Sequence, residues 1–127
     1  MSADGTISEK PAVLIVEDHE DTRELVAVAF ERAGFEVLQA GSKEEGLDTL
    51  RAHPHPAIVV TDYSLGDGNG LTLVKEARRE GVLNGQPIIL WTSLRMIAAP
   101  ESVVVLHKPL TPDRLVGEAR ELLAKHH

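Results

Sequence analysis

The chain has 127 residues, a net charge of −7 and no cysteine. That length suits one domain around one core, the acidic balance argues against nucleic acid as a direct partner, and the missing thiols exclude disulfides and thiolate chemistry. No apolar run approaches ~18 residues and no basic-then-apolar leader opens the chain, so neither a membrane span nor a signal peptide is indicated, and a reducing, cytoplasmic setting is expected.

Residues 1–10 are polar and aperiodic and are expected to form a flexible arm, followed by a single domain over residues 11–125. Ala12-Val-Leu-Ile-Val16 is a short apolar block that ends in Glu17 and Asp18. Asp21 or Thr22 is the expected cap of a first helix in which Leu25, Val26, Ala29, Phe30 and Ala33 recur at helical spacing, and Gly34 is placed to stop it. Phe35 to Ala40 alternates as a strand nearer the edge of a sheet. Ser42-Lys-Glu-Glu45 has the form of a capping box and opens a second helix, with Leu47 and Leu50 on its inner face. His53-Pro-His55-Pro56 ends that helix and leads into Ala57-Ile-Val-Val-Thr-Asp62. The β-branched block in that stretch fits a strand buried on both faces of a parallel sheet.

Gly66, Gly68 and Gly70 follow in a turn-rich loop whose spacing does not match a dinucleotide fingerprint. A third helix is sketched by Leu71, Val74 and Ala77 and closed by Gly81. Ile88-Ile-Leu-Trp91 ends in Thr92 and Ser93, and Val103-Val-Val-Leu106 ends at His107-Lys108-Pro109. Thr111-Pro112-Asp113 starts the last helix, which carries Leu115, Val116, Ala119, Leu122 and Leu123. Strands alternating with helices predict an α/β fold, a doubly wound five-stranded parallel sheet with helices on both faces. Only ten residues separate Thr92 from Val103, one of them Pro100. A mean helix of ~11 residues with its loops cannot fit there, so the fourth helix is expected to be shortened or missing.

Four strand ends carry the chemistry: Glu17-Asp18, Asp62, Thr92-Ser93 and Lys108-Pro109. In a sheet of order 2-1-3-4-5, the ends of the first and third strands meet at the switch point, where ligands gather. Two bare carboxylates ~4 Å apart repel by ~4 kcal/mol at an effective dielectric of ~20. Such a cluster calls for a hard divalent cation with oxygen ligands, of the Mg²⁺ kind. A cation, a hydroxyl and a metal around one nucleophilic carboxylate are what a transferring phosphoryl group requires.

With these residues at the ends of those strands, the chain resembles the receiver domain of bacterial two-component response regulators over nearly everything from Ala12 to Leu123. The resemblance implies that Asp62 is the phosphoacceptor, supplied by a histidine kinase or a histidine phosphotransfer protein. It implies a Mg²⁺ (or Mn²⁺) site formed by Asp18, Asp62 and the backbone carbonyl of Ser64, with Glu17 acting mostly through water. Lys108 is expected to hold the phosphoryl oxygens, Thr92 to move toward them, and the Lys108–Pro109 peptide to be cis. The protein is then no turnover enzyme but a phosphoacceptor with self-catalysed phosphotransfer. Ser64 and Leu94, at the positions that govern hydrolysis in the family, point to slow autodephosphorylation. Signalling is expected to stay local to Thr92–Pro100, with an unknown downstream protein reading that loop itself or the surface of the first helix near Arg23 and Leu25, where sensor proteins of the family usually dock.

One departure from the family adds to the missing helix. Val105 stands three residues before the lysine, where receivers commonly carry an aromatic ring that swings inward on activation. Competing readings are a phosphotransferase or hydrolase of the haloacid-dehalogenase type, a receiver-like binding scaffold without a phospho-dependent switch, and a receiver segment of a larger hybrid kinase. The hydrolase reading needs an acid two positions past the nucleophile, and Ser64 cannot serve as one. Met1 and the loose arm favour a native start with no output domain attached, whereas His126 and His127 are compatible with a native end or a purification tag.

Overall fold

The computed structural model describes residues 10–126. The expected arm lies outside the described residues apart from Lys10, as does His127. The elements in order are β1 (Ala12–Val16), α1 (Glu20–Arg32), β2 (Glu36–Ala40), α2 (Lys43–Ala52), β3 (Ile58–Asp62), β4 (Ser64–Leu65), β5 (Gly68–Asn69), α3 (Gly70–Arg79), β6 (Ile88–Thr92), β7 (Val103–His107) and α4 (Pro112–Lys125). The five long strands form one sheet in the order β2-β1-β3-β6-β7, all parallel. Counting long strands only, this is the expected order 2-1-3-4-5. No helix joins β6 to β7; residues 93–102 run between them without regular structure beyond a turn.

Alternation along the strands divides the core into two layers. Leu14, Val16, Val59, Ile88 and Leu90 pack on one face with Leu47 and Leu50 of α2 and Leu73, Val74 and Ala77 of α3. Val13, Ile15, Ile58, Val60, Ile89 and Trp91 pack on the other with Val26 and Phe30 of α1 and Leu115, Val116 and Ala119 of α4. β1, β3 and β6 are therefore buried on both sides, which is why their sequences are unbroken apolar runs. No helix among the described residues is long and apolar enough to cross a membrane.

The helix ends follow the punctuation in the sequence, with two differences. Gly34 and Gly81 take positive φ values of 95° and 80° just past α1 and α3, the conformation that glycine supplies at least cost. Thr111 caps α4 with Pro112 in its first turn. The cap of α1, however, is His19 rather than Asp21 or Thr22: the amide of Thr22 donates to His19 Nδ1 at 3.3 Å. The chain is still extended at His19, so helix begins at Glu20, and Glu20 and Asp21 fall in the first turn, where negative charge meets the positive end of the helix dipole. At α2, Ser42 accepts from the amide of Glu45 as expected. Glu45, instead of returning to the amide of Ser42, accepts from that of Gly41.

The loop after β3 is more ordered than a run of glycines suggests. β4 and β5 pair antiparallel, Ser64 with Asn69 and Leu65 with Gly68. The tip of this hairpin is fastened to α2, because Asp67 accepts from the amides of Lys43 at 2.8 Å and Glu44 at 2.9 Å. Those backbone hydrogen bonds hold its carboxyl below the usual aspartate range.

Candidate functional site

The carboxyl ends of β1, β3 and β7 converge on one small polar cluster. Glu17 and Asp18 directly follow β1, and Asp62 is the last residue of β3; the two strands are hydrogen-bonded neighbours. Glu17, Asp18 and Asp62 each present a carboxylate oxygen within 4.8 Å of the others. Lys108 enters from the far side and places its Nζ 2.8 Å from Glu17 Oε1 and 2.9 Å from Asp62 Oδ2. The sequence reading set Lys108 toward the acceptor; it grips Glu17 equally closely. Burial works to lower the pKa of Lys108, but the hydrogen bonds and charges of Glu17 and Asp62 outweigh it, so the ammonium is held above the usual lysine range.

The acids differ in their surroundings. Glu17 is almost fully buried and its other oxygen accepts from the amide of His19 at 3.1 Å. Asp62 is largely buried. Asp18 is exposed, and its carboxylate has no hydrogen-bond or ion-pair partner among the described residues. Three carboxylates therefore face one ammonium, and the repulsion left over is of the kind a hard divalent cation removes. An all-oxygen donor set that includes one uncommitted carboxylate at the solvent edge fits such an ion. Arg23 adds positive charge from behind: its guanidinium donates to the Glu17 carbonyl at 2.9 Å and to Gln39 at 3.2 Å. That side chain is turned inward, so of the docking surface expected near Arg23 and Leu25, only Leu25 and Val28 stand out as exposed apolar groups.

Thr92 ends β6, one strand over from Asp62. It is buried, and its hydroxyl accepts from the amide of Leu94 at 3.1 Å, so it is turned toward its own loop. Ser64 lies two residues past Asp62 at the start of the β4–β5 hairpin. The Lys108–Pro109 peptide is cis, as expected. The amide of Lys108 donates to the Thr92 carbonyl at 2.8 Å, which carries the sheet ladder one residue beyond β7.

Three contributors escaped the sequence reading. Gly70 opens α3 against the back of the acceptor strand: a Cβ there would lie 2.3 Å from the Asp62 carbonyl oxygen. A glycine beginning a helix after a strand-end acid is the signal that could have marked it. Trp91 lies under Lys108, with Nζ 4.6 Å from the ring centroid; finding it needed the strand order as well as the sequence. The third is a cavity of about 310 Å³ between α1 and the chain after β7, lined by Leu25, Val26, Trp91, Lys108 and Leu110 among others.

Comparison with known proteins identifies the family and the fold. The family model described as response regulator receiver domain matches residues 13–120. The chain is 31% identical over 110 residues to chemotaxis protein CheY1 of Helicobacter pylori, an alignment covering 81% of this chain and 89% of CheY1. It is 28% identical over 120 residues to the phosphate regulon transcriptional regulatory protein PhoB of Escherichia coli, covering 89% of this chain and 52% of PhoB. The chain thus spans about half the length of PhoB. Among solved structures, the receiver domain of the hybrid histidine kinase CckA superimposes with a TM-score of 0.78 at 26% identity, covering 88% of this chain and 98% of that one.

Proposed function

The chain belongs to the response regulator receiver domain family, and from that premise we propose that it accepts a phosphoryl group on Asp62 from a phosphohistidine of a histidine kinase or phosphotransfer protein. The observation that carries the proposal is the position of Asp62, a buried carboxylate at the switch point, paired with Lys108 and within metal-sharing distance of Asp18. An oxygen of Asp62 attacks phosphorus, the P–N bond to the donor imidazole breaks, and the imidazole leaves as the new P–O bond forms. Lys108 already sits 2.9 Å from Asp62 and is placed to hold an oxygen of the incoming group. Asp18, Asp62 and the Ser64 carbonyl would hold a Mg²⁺ or Mn²⁺ ion, with Glu17 through water; when bound, it screens the carboxylates from the arriving phosphoryl oxygens. Thr92 exchanges its hydrogen bond from Leu94 for one to the phosphoryl group, and this moves residues 93–102. Turnover of a separate substrate is not part of this reading: the reaction is self-catalysed, and Leu94 beside the site keeps autodephosphorylation slow.

The donor protein docks on the apolar cavity beside Leu25 and Leu110, and an unidentified downstream protein reads the result, in the cytoplasm. A second reading, a receiver segment of a larger hybrid kinase, draws support from the similarity to the CckA receiver. Intact-mass measurement after incubation with acetyl phosphate and Mg²⁺ tests the acceptor. The wild-type chain should gain one phosphoryl group, Asp62→Asn none, and Asp18→Ala far less than wild type. Phosphorylation of Asp62→Asn at the wild-type level would overturn the assignment.

A further inference from the structure

Lys108 belongs to the neighbourhood of β7, yet its ammonium works at the end of β3, two strands away and about 10 Å across the sheet. The strand it must cross is β6, and the residue at the crossing is Trp91. The register makes this geometric: Asp62 pairs with Trp91, and Trp91 with Leu106, so one row runs from the acceptor across β6 to β7. Trp91 packs in the same face of the core as Leu106, and Lys108 follows two residues on. Its Nζ stands 4.6 Å from the centroid of the indole, the range in which a cation is attracted by the ring face.

Two observations indicate that the ring face itself is what this position supplies. The indole is 5% exposed, and its Nε1 is buried without a hydrogen-bond partner among the described residues. Buried tryptophans usually place that N–H on an acceptor; here packing orients the ring with the N–H left unused and the face turned to the ammonium. The other partners of Lys108, Glu17 and Asp62, are both acids of the cluster that could share a metal ion. Any charge those acids give to a metal ion is withdrawn from Lys108. Among the described residues, the indole is the one side-chain partner of Lys108 that a metal ion would not engage.

We infer that Trp91 is a positioning residue for the phosphotransfer, holding the Lys108 ammonium over β6 and beside Asp62 through its ring face while Glu17 and Asp62 are engaged elsewhere. The inference rests on Asp62 being the acceptor, and its test separates the two. Trp91 is the sole tryptophan of the chain, so biosynthetic incorporation of mono-, di- and tetrafluorotryptophan alters this ring alone, draining its face of charge with little change in shape. The first readout is NMR of the unphosphorylated protein with and without Mg²⁺. The Lys108 ε-methylene protons should lie upfield through the ring current, keep that position when Mg²⁺ is added, and lose it in Trp91→Leu.

The second readout is the rate of phosphorylation by acetyl phosphate. It should fall stepwise with fluorination, by roughly three- to tenfold over the series, while the melting temperature stays constant, and Trp91→Phe should recover most of what Trp91→Leu loses. Unshifted Lys108 protons, or equal rates across the series, would overturn the inference and leave Trp91 a packing residue. If the wild-type chain gained no phosphoryl group, the acceptor assignment would fall, and the proton shifts would still decide whether the ring places the ammonium.

Discussion

Lys108 is the residue on which most of the site's charge balance depends. Replacing it with methionine keeps the reach of the side chain but leaves Glu17 and Asp62, both buried, without their ammonium. Stranding buried polar groups costs about 1–3 kcal/mol, so Lys108→Met should lower unfolding free energy by that amount at neutral pH, and added Mg²⁺ should stabilise it more than wild type. The pH dependence has a definite sign. The folded pKa of Lys108 lies above its ordinary 10.5, so its contribution is complete below about 10.5 and is lost as pH rises through the folded value. In metal-free urea titrations, the wild-type advantage should be flat from pH 6 to 9 and shrink above 10.5; an advantage that grows there would contradict the ion pair. The acids, the hydroxyl and the lysine were legible because each ends an apolar run, a position that sequence reveals directly. The part Trp91 plays, and the hold of Arg23 on Glu17, were not, since one acts across a strand and the other through the Glu17 backbone, and neither relation is written in spacing along the chain.

At the scale of elements, the β3–α3 connection binds the site to its surroundings. The hairpin β4–β5 is pinned to α2 by Asp67, and α3 begins in direct contact with the acceptor strand. At Gly70 an added methyl would meet the Asp62 carbonyl oxygen and the Thr61 side chain at 2.3 and 2.9 Å, and neither backbone nor buried threonine can yield cheaply. Gly70→Ala should therefore destabilise the fold by roughly 1–3 kcal/mol and slow acetyl-phosphate labelling of the folded protein by displacing Asp62. Denaturant unfolding and intact mass on the same samples would check this; wild-type stability with wild-type labelling would show that the helix start has more room than the backbone indicates. The five long strands and four helices were readable from β-branched blocks, helical spacing and glycine stops. The hairpin was not, because two-residue strands carry no period. Nor was the His19 cap, since histidine is not among the favoured capping residues. The missing helix was readable by length alone, ten residues being too few for it.

Across the whole molecule, the question is how far a change at Asp62 travels. In the unmodified state Thr92 holds the start of the following loop through the amide of Leu94, and turning its hydroxyl to a phosphoryl oxygen gives up that anchor. What lies beyond is a stretch without a helix, residues 93–102, with Met96 almost wholly exposed. On the next strand Val105 packs against the same core layer as Ile97 and Ala99 and has no ring to reorient. β7 is meanwhile held to β6 along its full length, and α4 is held in the other core layer with α1 through Leu115, Val116 and Ala119. Displacing either would disrupt packed core, for which one hydroxyl rotation offers little driving force. The response should therefore stay in residues 92–100, so that a partner reads the loop or the nearby surface of α1. Beryllofluoride with Mg²⁺, which imitates the acyl phosphate, should change the fluorescence of Trp91, which directly precedes Thr92 and has the Lys108 ammonium over its ring. In the same titration, backbone amide shifts should be large from 92 to 100 and small in residues 103–106 and 115–123. Shifts of equal size in β7 and α4 would mean that a long-range switch operates without the aromatic ring, and that the sheet edge moves as a unit.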